Sequence, residues 1–328
     1  MAQKKRILSG MRPTGPLHLG NLHGALANWI QLQDEYDCFY FIADWHALTS
    51  DYENTGKTSD YVRNMMIDWL SAGLSPEKST LFVQSHIKEH AELFLILSMI
   101  TPVPWLERNP TYKDQMVQLS NKDLSTFGFL GYPVLQAADI IIYKANCVPV
   151  GVDQVPHVEI TREIARRFNY LYGNVFPEPD AMLTKTSKIL GTDRRKMSKS
   201  YNNAIFLSDS PEKISATVST MVTDPQRARK SDPGDPEVCN VFEFHKLYTE
   251  SATVSEIAEN CRSAKIGCVE CKKMMAQRLI KALEPIREKR KFYEADPKMV
   301  ADIIITGSNK ARAVAQETME EVRAAVKI

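Results

Sequence analysis

Short, continuous apolar runs alternate with helix-period segments through the first half of this chain, and that alternation limits the fold more than any other feature. Cys38–Ala43 is apolar at every position. A strand with one wet face alternates apolar and polar residues, so an unbroken apolar strand is one covered on both faces, as in a parallel sheet. Strands are expected at Arg6–Ser9, Cys38–Ala43, Ser79–Gln84 and Cys147–Val150. Between and after them, Asn21–Glu35, Thr58–Leu70, Glu89–Ile100, Tyr132–Tyr143 and Asp153–Phe168 carry apolar residues at helical spacing. The pattern predicts an α/β fold, a parallel sheet with helices on both faces. The stretch Thr111–Lys122 is polar and has no assigned element.

From about Ser208 strand-like runs become scarce. Pro211–Val222, Val254–Cys261, Lys272–Lys291, Pro297–Ile304 and Asn309–Val326 all read as helices. The expected organisation is therefore an α/β domain over residues 1–203, including a polar loop at 191–203, followed by a mainly helical domain over 204–328. A net charge of +1 neither announces nor excludes a nucleic-acid partner, because local patches decide. Lys4, Lys5 and Arg6 precede only two apolar residues before Ser9 and Gly10, too few for a secretory signal. The apolar run at 137–143 contains Asp139 and is far too short to span a bilayer. The chain is expected to be cytoplasmic with no membrane partner, its six cysteines free thiols or ligands.

Two motifs carry the chemistry. In Pro13-Thr14-Gly15-Pro16-Leu17-His18-Leu19-Gly20-Asn21, a glycine turn joins the first strand to the first helix. Free backbone N–H groups at such a helix start bind phosphate, and in a parallel sheet the loop lies at the ligand-binding edge. His18 adds a donor. In Lys196-Met197-Ser198-Lys199-Ser200, two lysines and two hydroxyls sit in a loop next to Arg194 and Arg195, a clamp for a polyphosphate. Each motif alone also reads as a tight turn or a solvated charge cluster. Together they point to ATP-dependent activation of a carboxylate.

These segments resemble the bacterial tryptophanyl-tRNA synthetases, a family of class I aminoacyl-tRNA synthetases, from Ile7 nearly to the C-terminus. The likeness is carried by Ser9-Gly10-Met11-Arg12-Pro13-Thr14-Gly15, His18-Leu19-Gly20-Asn21, Asp44-Trp45-His46-Ala47, Tyr132-Pro133-Val134-Leu135-Gln136-Ala137-Ala138-Asp139, Val148-Pro149-Val150-Gly151-Val152-Asp153-Gln154 and the lysine motif. It implies a Rossmann-like catalytic domain and a helical anticodon-binding domain. It also implies Mg2+ with ATP, L-tryptophan and tRNA(Trp) as partners, and a homodimer. His18, Lys196 and Lys199 are the implied catalytic residues. Arg12, Pro13, Thr14, Gly20, Asn21, Gly151, Val152, Asp153, Met197, Ser198 and Ser200 are the further implied ATP contacts. Asn21 stands where the family motif ends in His, and Val152 where it usually has Glu. Asp153 reads either as a ribose contact or as the cap of the following helix.

For the amino-acid pocket the implied residues are His46, Tyr132, Gln136, Asp139, Val148, Val150 and Gln154. Asp139 lies inside an otherwise apolar segment, where an unpaired carboxylate is costly. A carboxylate only accepts hydrogen bonds and an indole nitrogen only donates, so the two suit each other. The related tyrosyl enzymes share the Tyr132, Gln136, Asp139 spacing but typically carry a first-strand Tyr for the substrate hydroxyl. Leu8 occupies that position here. A non-catalytic tryptophan- or RNA-sensing relative is the alternative from another class.

Cys239, Cys261, Cys268 and Cys271 form a C-x21-C-x6-C-x2-C pattern. Four thiolates suit zinc or an iron–sulfur cluster, and the spacing does not separate them. A subgroup of the resembled family carries a [4Fe–4S] cluster in this region, with Zn2+ as the alternative. The basic segment from Lys272 and Lys273 through Arg278, Lys281, Arg287, Lys289, Arg290 and Lys291 reads either as a solvated helix face or as a contact for the tRNA backbone.

Overall fold

The computed structural model describes residues 4–118, 122–183 and 189–328. Strands β1 (Arg6–Met11), β2 (Asp37–Ile42), β3 (Ser79–Val83), β4 (Cys147–Val150) and β5 (Asp180–Leu183) form one sheet in the order β3-β2-β1-β4-β5. All its pairings are parallel, with Ile7 beside Cys38 on one side and beside Cys147 on the other. The chain winds outward from β1 to β3, then returns to lay β4 on β1's other edge. The crevice between β1 and β4 is thus the switch point at which open α/β sheets bind ligands. Gly10 does not end β1, which runs on to Met11. β5 was not expected, because its half-exposed residues give neither a buried run nor a clean alternation.

Strand residues alternate between two apolar layers, as the two-residue period of a strand requires. Ile7, Cys38, Tyr40, Ile42 and Leu81 enter one layer. Leu8, Phe39, Phe41, Phe82 and Val148 enter the other. The first layer is covered by a continuous helical segment over 19–32, by α1 (Thr58–Ala72), and by a long helix from the C-terminal half. In the 19–32 segment the turn Leu22–Leu26 is wound as a π-helix. The second layer is covered by α2 (Glu89–Ile100), α3 (Phe127–Ile141) and α4 (Val155–Tyr172). α3 starts five residues earlier than expected, where Thr126 Oγ1 accepts from the Phe129 N–H at 3.2 Å. Such a cap satisfies one of the donors that every helix start leaves open.

The mainly helical C-terminal half contains two long helices, α5 (Cys268–Ala295) and α6 (Pro297–Val326). Two helices were expected where α6 is one, with the break placed near Gly307. Gly307 serves another purpose: a Cβ there would lie 1.8 Å from the carbonyl oxygen of Leu81 in β3. The glycine lets α6 lie directly on the edge strand. Val300 and Ile304 pack in the first layer, and Ala311, Ala315, Met319 and Val322 in the second. The helix therefore straps both faces across the β3 edge. Helices at Asp44–Asp51, Val103–Glu107 and Asn240–Tyr248 were also unforeseen. So was Pro110–Gln118, inside the stretch read as polar; residues 119–121 of that stretch lie outside the described residues.

Candidate active site

A cavity of about 530 Å3 opens at the carboxyl ends of β1 and β4. β1 and the turn after it contribute Leu8 to Arg12, and β4 contributes Val148 to Gly151. Tyr132, Gln136 and Asp139 enter from α3, their spacing placing them on one helix face. All the residues expected to hold the amino acid line this cavity: His46, Tyr132, Gln136, Asp139, Val148, Val150 and Gln154. Arg12, Asn21, Gly151 and Lys196 line it too. At Gly10 a Cβ would come within 2.6 Å of the Phe41 ring, so the floor has no room for a larger residue.

Asp139 is fully buried and is held from three directions. Gln84 Nε2 donates to both carboxylate oxygens at 2.8 and 2.9 Å. His46 Nε2 lies 2.7 Å from Oδ2, and His90 Nδ1 2.5 Å from Oδ1. The other nitrogen of His90 meets the Tyr143 hydroxyl at 2.6 Å. Burial pushes the Asp139 carboxyl up, but the facing imidazoles of His90 and His46 outweigh it and hold the group below its ordinary value. It is an ionised acceptor with an ordered set of donors. Of those donors only His46 also lines the cavity. Gln84 and His90 were not foreseen as site residues. Only Gln84 carried a signal, as a polar residue just beyond the carboxyl end of β3; His90 lies within α2 and carried none.

Across the cavity, Tyr132 Oη lies 3.3 Å from Nε2 of the buried His157, another residue the sequence did not single out. Burial lowers His157 to about 4, so it is a neutral imidazole. Leu8 lines the pocket and is 1% exposed. The pocket wall at Leu8 is therefore apolar.

The two phosphate motifs lie side by side. Lys199 Nζ is 3.4 Å from Thr14 Oγ1, and a Cβ on Gly20 would sit 3.6 Å from Met197 Cβ. That same Cβ would lie 2.9 Å from the His18 ring, so Gly20 makes room for the imidazole. Asn21 Oδ1 accepts from the His18 N–H at 3.0 Å, which ties down the start of the helix. The backbone of 17–19 pairs with the segment after the lysine motif: Leu19 N–H donates to Ile205 O and Leu207 N–H to Leu17 O. Inside the lysine loop, Asn203 accepts from the Ser198 N–H at 2.8 Å and donates to Asp193 at 2.7 Å. A Cβ on Gly191 would strike the Asn203 side chain at 2.2 Å, so the loop is knotted at that glycine. Asn240 Nδ2 donates to Gly191 O at 2.7 Å and fastens the knot to the helical half.

Electrostatics on this side run opposite to those at Asp139. Burial and the charges of Lys199 and Lys196 lower His18 to about 4, so it is neutral at physiological pH. Burial also lowers Lys199 to about 8, opposed by the carboxylate of Asp68. His18 Nδ1 is buried without a hydrogen-bond partner among the described residues. Pro13 is buried, while Thr14 and Ser200 are exposed. Val152 is 74% exposed, and Asp153 beside it is also exposed. Asp153 does not cap the helix after it: Gln154 holds that position, and Asp153 Oδ2 accepts from Gln154 Nε2 at 3.2 Å.

The four cysteines of the helical half are half-buried free thiols. Arg227 Nη1 lies 3.7 Å from Cys261 Sγ and 3.9 Å from Cys268 Sγ. Burial first, and then the other thiols, raise Cys271 to about 12 and push Cys261 up. Among the described residues no group of three or more His, Cys, Asp or Glu is arranged to hold a metal ion. The basic segment also needs correction, because Arg290 is buried rather than part of a surface face and pairs with Asp68.

The family described as tRNA synthetases class I (W and Y) matches residues 2–284. A tryptophan–tRNA ligase of Thermotoga maritima is 55% identical over 98% of this chain and 99% of its own length. One of Aquifex aeolicus is 48% identical over 98% and 100% respectively. The solved tryptophanyl-tRNA synthetase of Campylobacter jejuni, complexed with ADP and tryptophan, superposes with a TM-score of 0.91 at 34% identity, covering 98% of this chain and all of that one. The sheet with its switch-point cavity is thus that of a class I tRNA synthetase. The chain belongs to the tryptophanyl branch of that class.

Proposed function

We infer that this cavity activates L-tryptophan with Mg–ATP and that the chain then esterifies tRNA(Trp). A tryptophan carboxylate oxygen attacks the α-phosphorus, the bond to the β-phosphate bridging oxygen breaks, and pyrophosphate leaves. The terminal ribose hydroxyl of the tRNA next attacks the carbonyl carbon of the mixed anhydride, and AMP leaves. The attacking carboxylate is already ionised, so the first step needs no general base. Positioning and charge neutralisation carry it. In this reading neutral His18 donates to a phosphate oxygen, and Lys196 and Lys199 neutralise charge on the departing phosphates. Arg12, Pro13, Thr14, Gly20, Asn21, Gly151, Val152, Asp153, Met197, Ser198 and Ser200 frame the nucleotide. Mg2+ enters with the ATP.

The observation that carries the choice of amino acid is Asp139, a fully buried, ionised acceptor on the cavity wall. An indole N–H would share Oδ2 with His46. Val148 and Val150 flank the ring, Gln136 borders it, and Tyr132 with Gln154 receives the ammonium. Leu8, where the tyrosyl enzymes typically carry a Tyr, offers a tyrosine hydroxyl no hydrogen bond. The test is pyrophosphate exchange into ATP. We expect exchange with tryptophan and essentially none with tyrosine; equal exchange with both, or charging of no tRNA, refutes the reading.

We further propose that residues 1–203 form the catalytic unit and 204–328 the anticodon-binding unit, with the exposed Lys273, Lys281 and Lys289 of α5 meeting the tRNA backbone. Exposed apolar side chains on α2, Leu95 and Met99, support a homodimer. We also propose that Cys239, Cys261, Cys268 and Cys271 hold a [4Fe–4S] cluster, with Zn2+ as the alternative. Support comes from the C-x21-C-x6-C-x2-C spacing and from Arg227, whose Nη1 lies 3.7 Å from Cys261 Sγ and 3.9 Å from Cys268 Sγ, a cation suited to offset thiolate charge. We propose a cytoplasmic site of action; among the described residues no helix is long and apolar enough to cross a membrane. Broad brown absorbance with iron and sulfide in anaerobically purified protein is the expected result; colourless protein with bound zinc selects the alternative.

A further inference from the structure

Asp68 sits on α1 and is 2% exposed; Arg290 sits near the end of α5 and is 8% exposed. Arg290 Nη1 pairs with Asp68 Oδ1. The rest of the guanidinium is satisfied by Asn64 Oδ1 at 2.9 Å and Glu294 Oε1 at 2.9 Å. The second oxygen of Asp68 points away from Arg290 and accepts from the backbone N–H of Leu17 at 3.3 Å. Leu17 immediately precedes His18, and its carbonyl accepts from Leu207 N–H, just beyond the lysine motif. Asp68 therefore grips the chain where the two phosphate motifs meet. Its charge also bears on Lys199, opposing the effect of burial there.

A buried ion pair is weak as a stabilising device, because desolvation offsets most of the attraction. Well-packed apolar residues of similar volume often serve a fold as well as such a pair does. The pair has something an apolar pair lacks: an anion that accepts from the backbone N–H next to His18. We propose that Asp68, held by Arg290, is a positioning residue through which the long helix α5 fixes the His18 turn of the nucleotide site. The proposal rests on the reading that His18 and Lys199 engage ATP. α5 begins at Cys268 in the cysteine region and carries Arg290 near its other end, with Pro285 between them, so one continuous helix joins that region to the His18 turn.

The test replaces the pair by apolar residues, Asp68→Leu with Arg290→Met, and measures thermal midpoint and pyrophosphate exchange. We expect a midpoint close to that of the parent. We expect the KM for ATP to rise about tenfold, the equivalent of one hydrogen bond to a charged group, with the KM for tryptophan within about twofold. A folded double variant with parental ATP kinetics overturns the proposal. Because that variant could fail to fold, the isosteric Asp68→Asn gives a second reading. Its amide oxygen serves one donor poorly in place of two, so the KM for ATP again rises selectively. An unchanged ATP KM in Asp68→Asn, or an equal rise for both substrates, also overturns it. Lys199→Ala is the control for the underlying reading: parental exchange in that variant refutes the nucleotide site itself, whereas impaired exchange there with a parental Asp68 variant refutes only the role of Asp68.

Discussion

The carboxylate of Asp139 meets three side-chain donors, whereas Nδ1 of the buried His18 meets none among the described residues. These groups face the two ends of one reacting complex. The indole end is fixed before substrate arrives, its acceptor ionised and oriented by Gln84, His46 and His90. The phosphate end is short of negative charge: His18 is lowered to about 4 and Lys199 to about 8, burial being the main cause at both. An incoming triphosphate supplies the missing anion. The comparison teaches that selectivity can rest on a preset network, while rate rests on groups whose interactions are completed only as charge builds on the phosphates.

If the phosphate end acts in the transition state, Lys199→Ala has the largest effect. Pre-steady-state adenylate formation should slow by about 100- to 1000-fold, as on removal of a transition-state donor, with tryptophan affinity nearly unchanged. A larger loss in tryptophan binding than in rate would erase the contrast between the two ends. Asp139→Ala comes next. It strands the donors of Gln84, His46 and His90 as well as the indole, so tryptophan affinity should fall by about 2–3 kcal/mol, read by calorimetry. Discrimination against tyrosine should fall with it, and intact discrimination would remove Asp139 from the pocket.

A smaller effect sharpens the comparison through pH. Lys199 carries its charge below about 8 and loses it as pH rises through that value. The kcat/KM for ATP reports the free enzyme, so it should decline above about pH 8, and Lys199→Arg should move the decline to higher pH. A profile that is flat through pH 9 separates Lys199 from ATP capture in the free enzyme.

Strand β2 was legible because a strand covered on both faces writes itself as an unbroken apolar run, and β1, β3 and β4 as short apolar stretches between helix-period segments. β5 was not, because a half-exposed edge strand leaves no such trace. In the site, Asp139 was legible as a charge inside an apolar helix. The donors that fix it were not, because Gln84 and His90 come from a distant strand end and a separate helix, and only packing unites them. Arg290 shows the reverse case. It was read with its basic neighbours, yet Leu279, Leu283, Ile286, Arg290 and Tyr293 recur at helical spacing and mark it as a core-facing position. Gly307 falls in the gap between the two helices expected at 297–304 and 309–326; its reason is the carbonyl of Leu81, which no local pattern reveals.

That glycine has a bearing on how the protein comes to be made. α6 is read out after all five strands, so during synthesis the β3 edge is bare while everything upstream of residue 297 emerges. An uncovered edge is a template for pairing with another chain. We expect nascent chains halted before α6 to self-associate and those extended through it to stay apart, with Gly307→Val, unable to seat the strap, behaving like the halted chains even at full length.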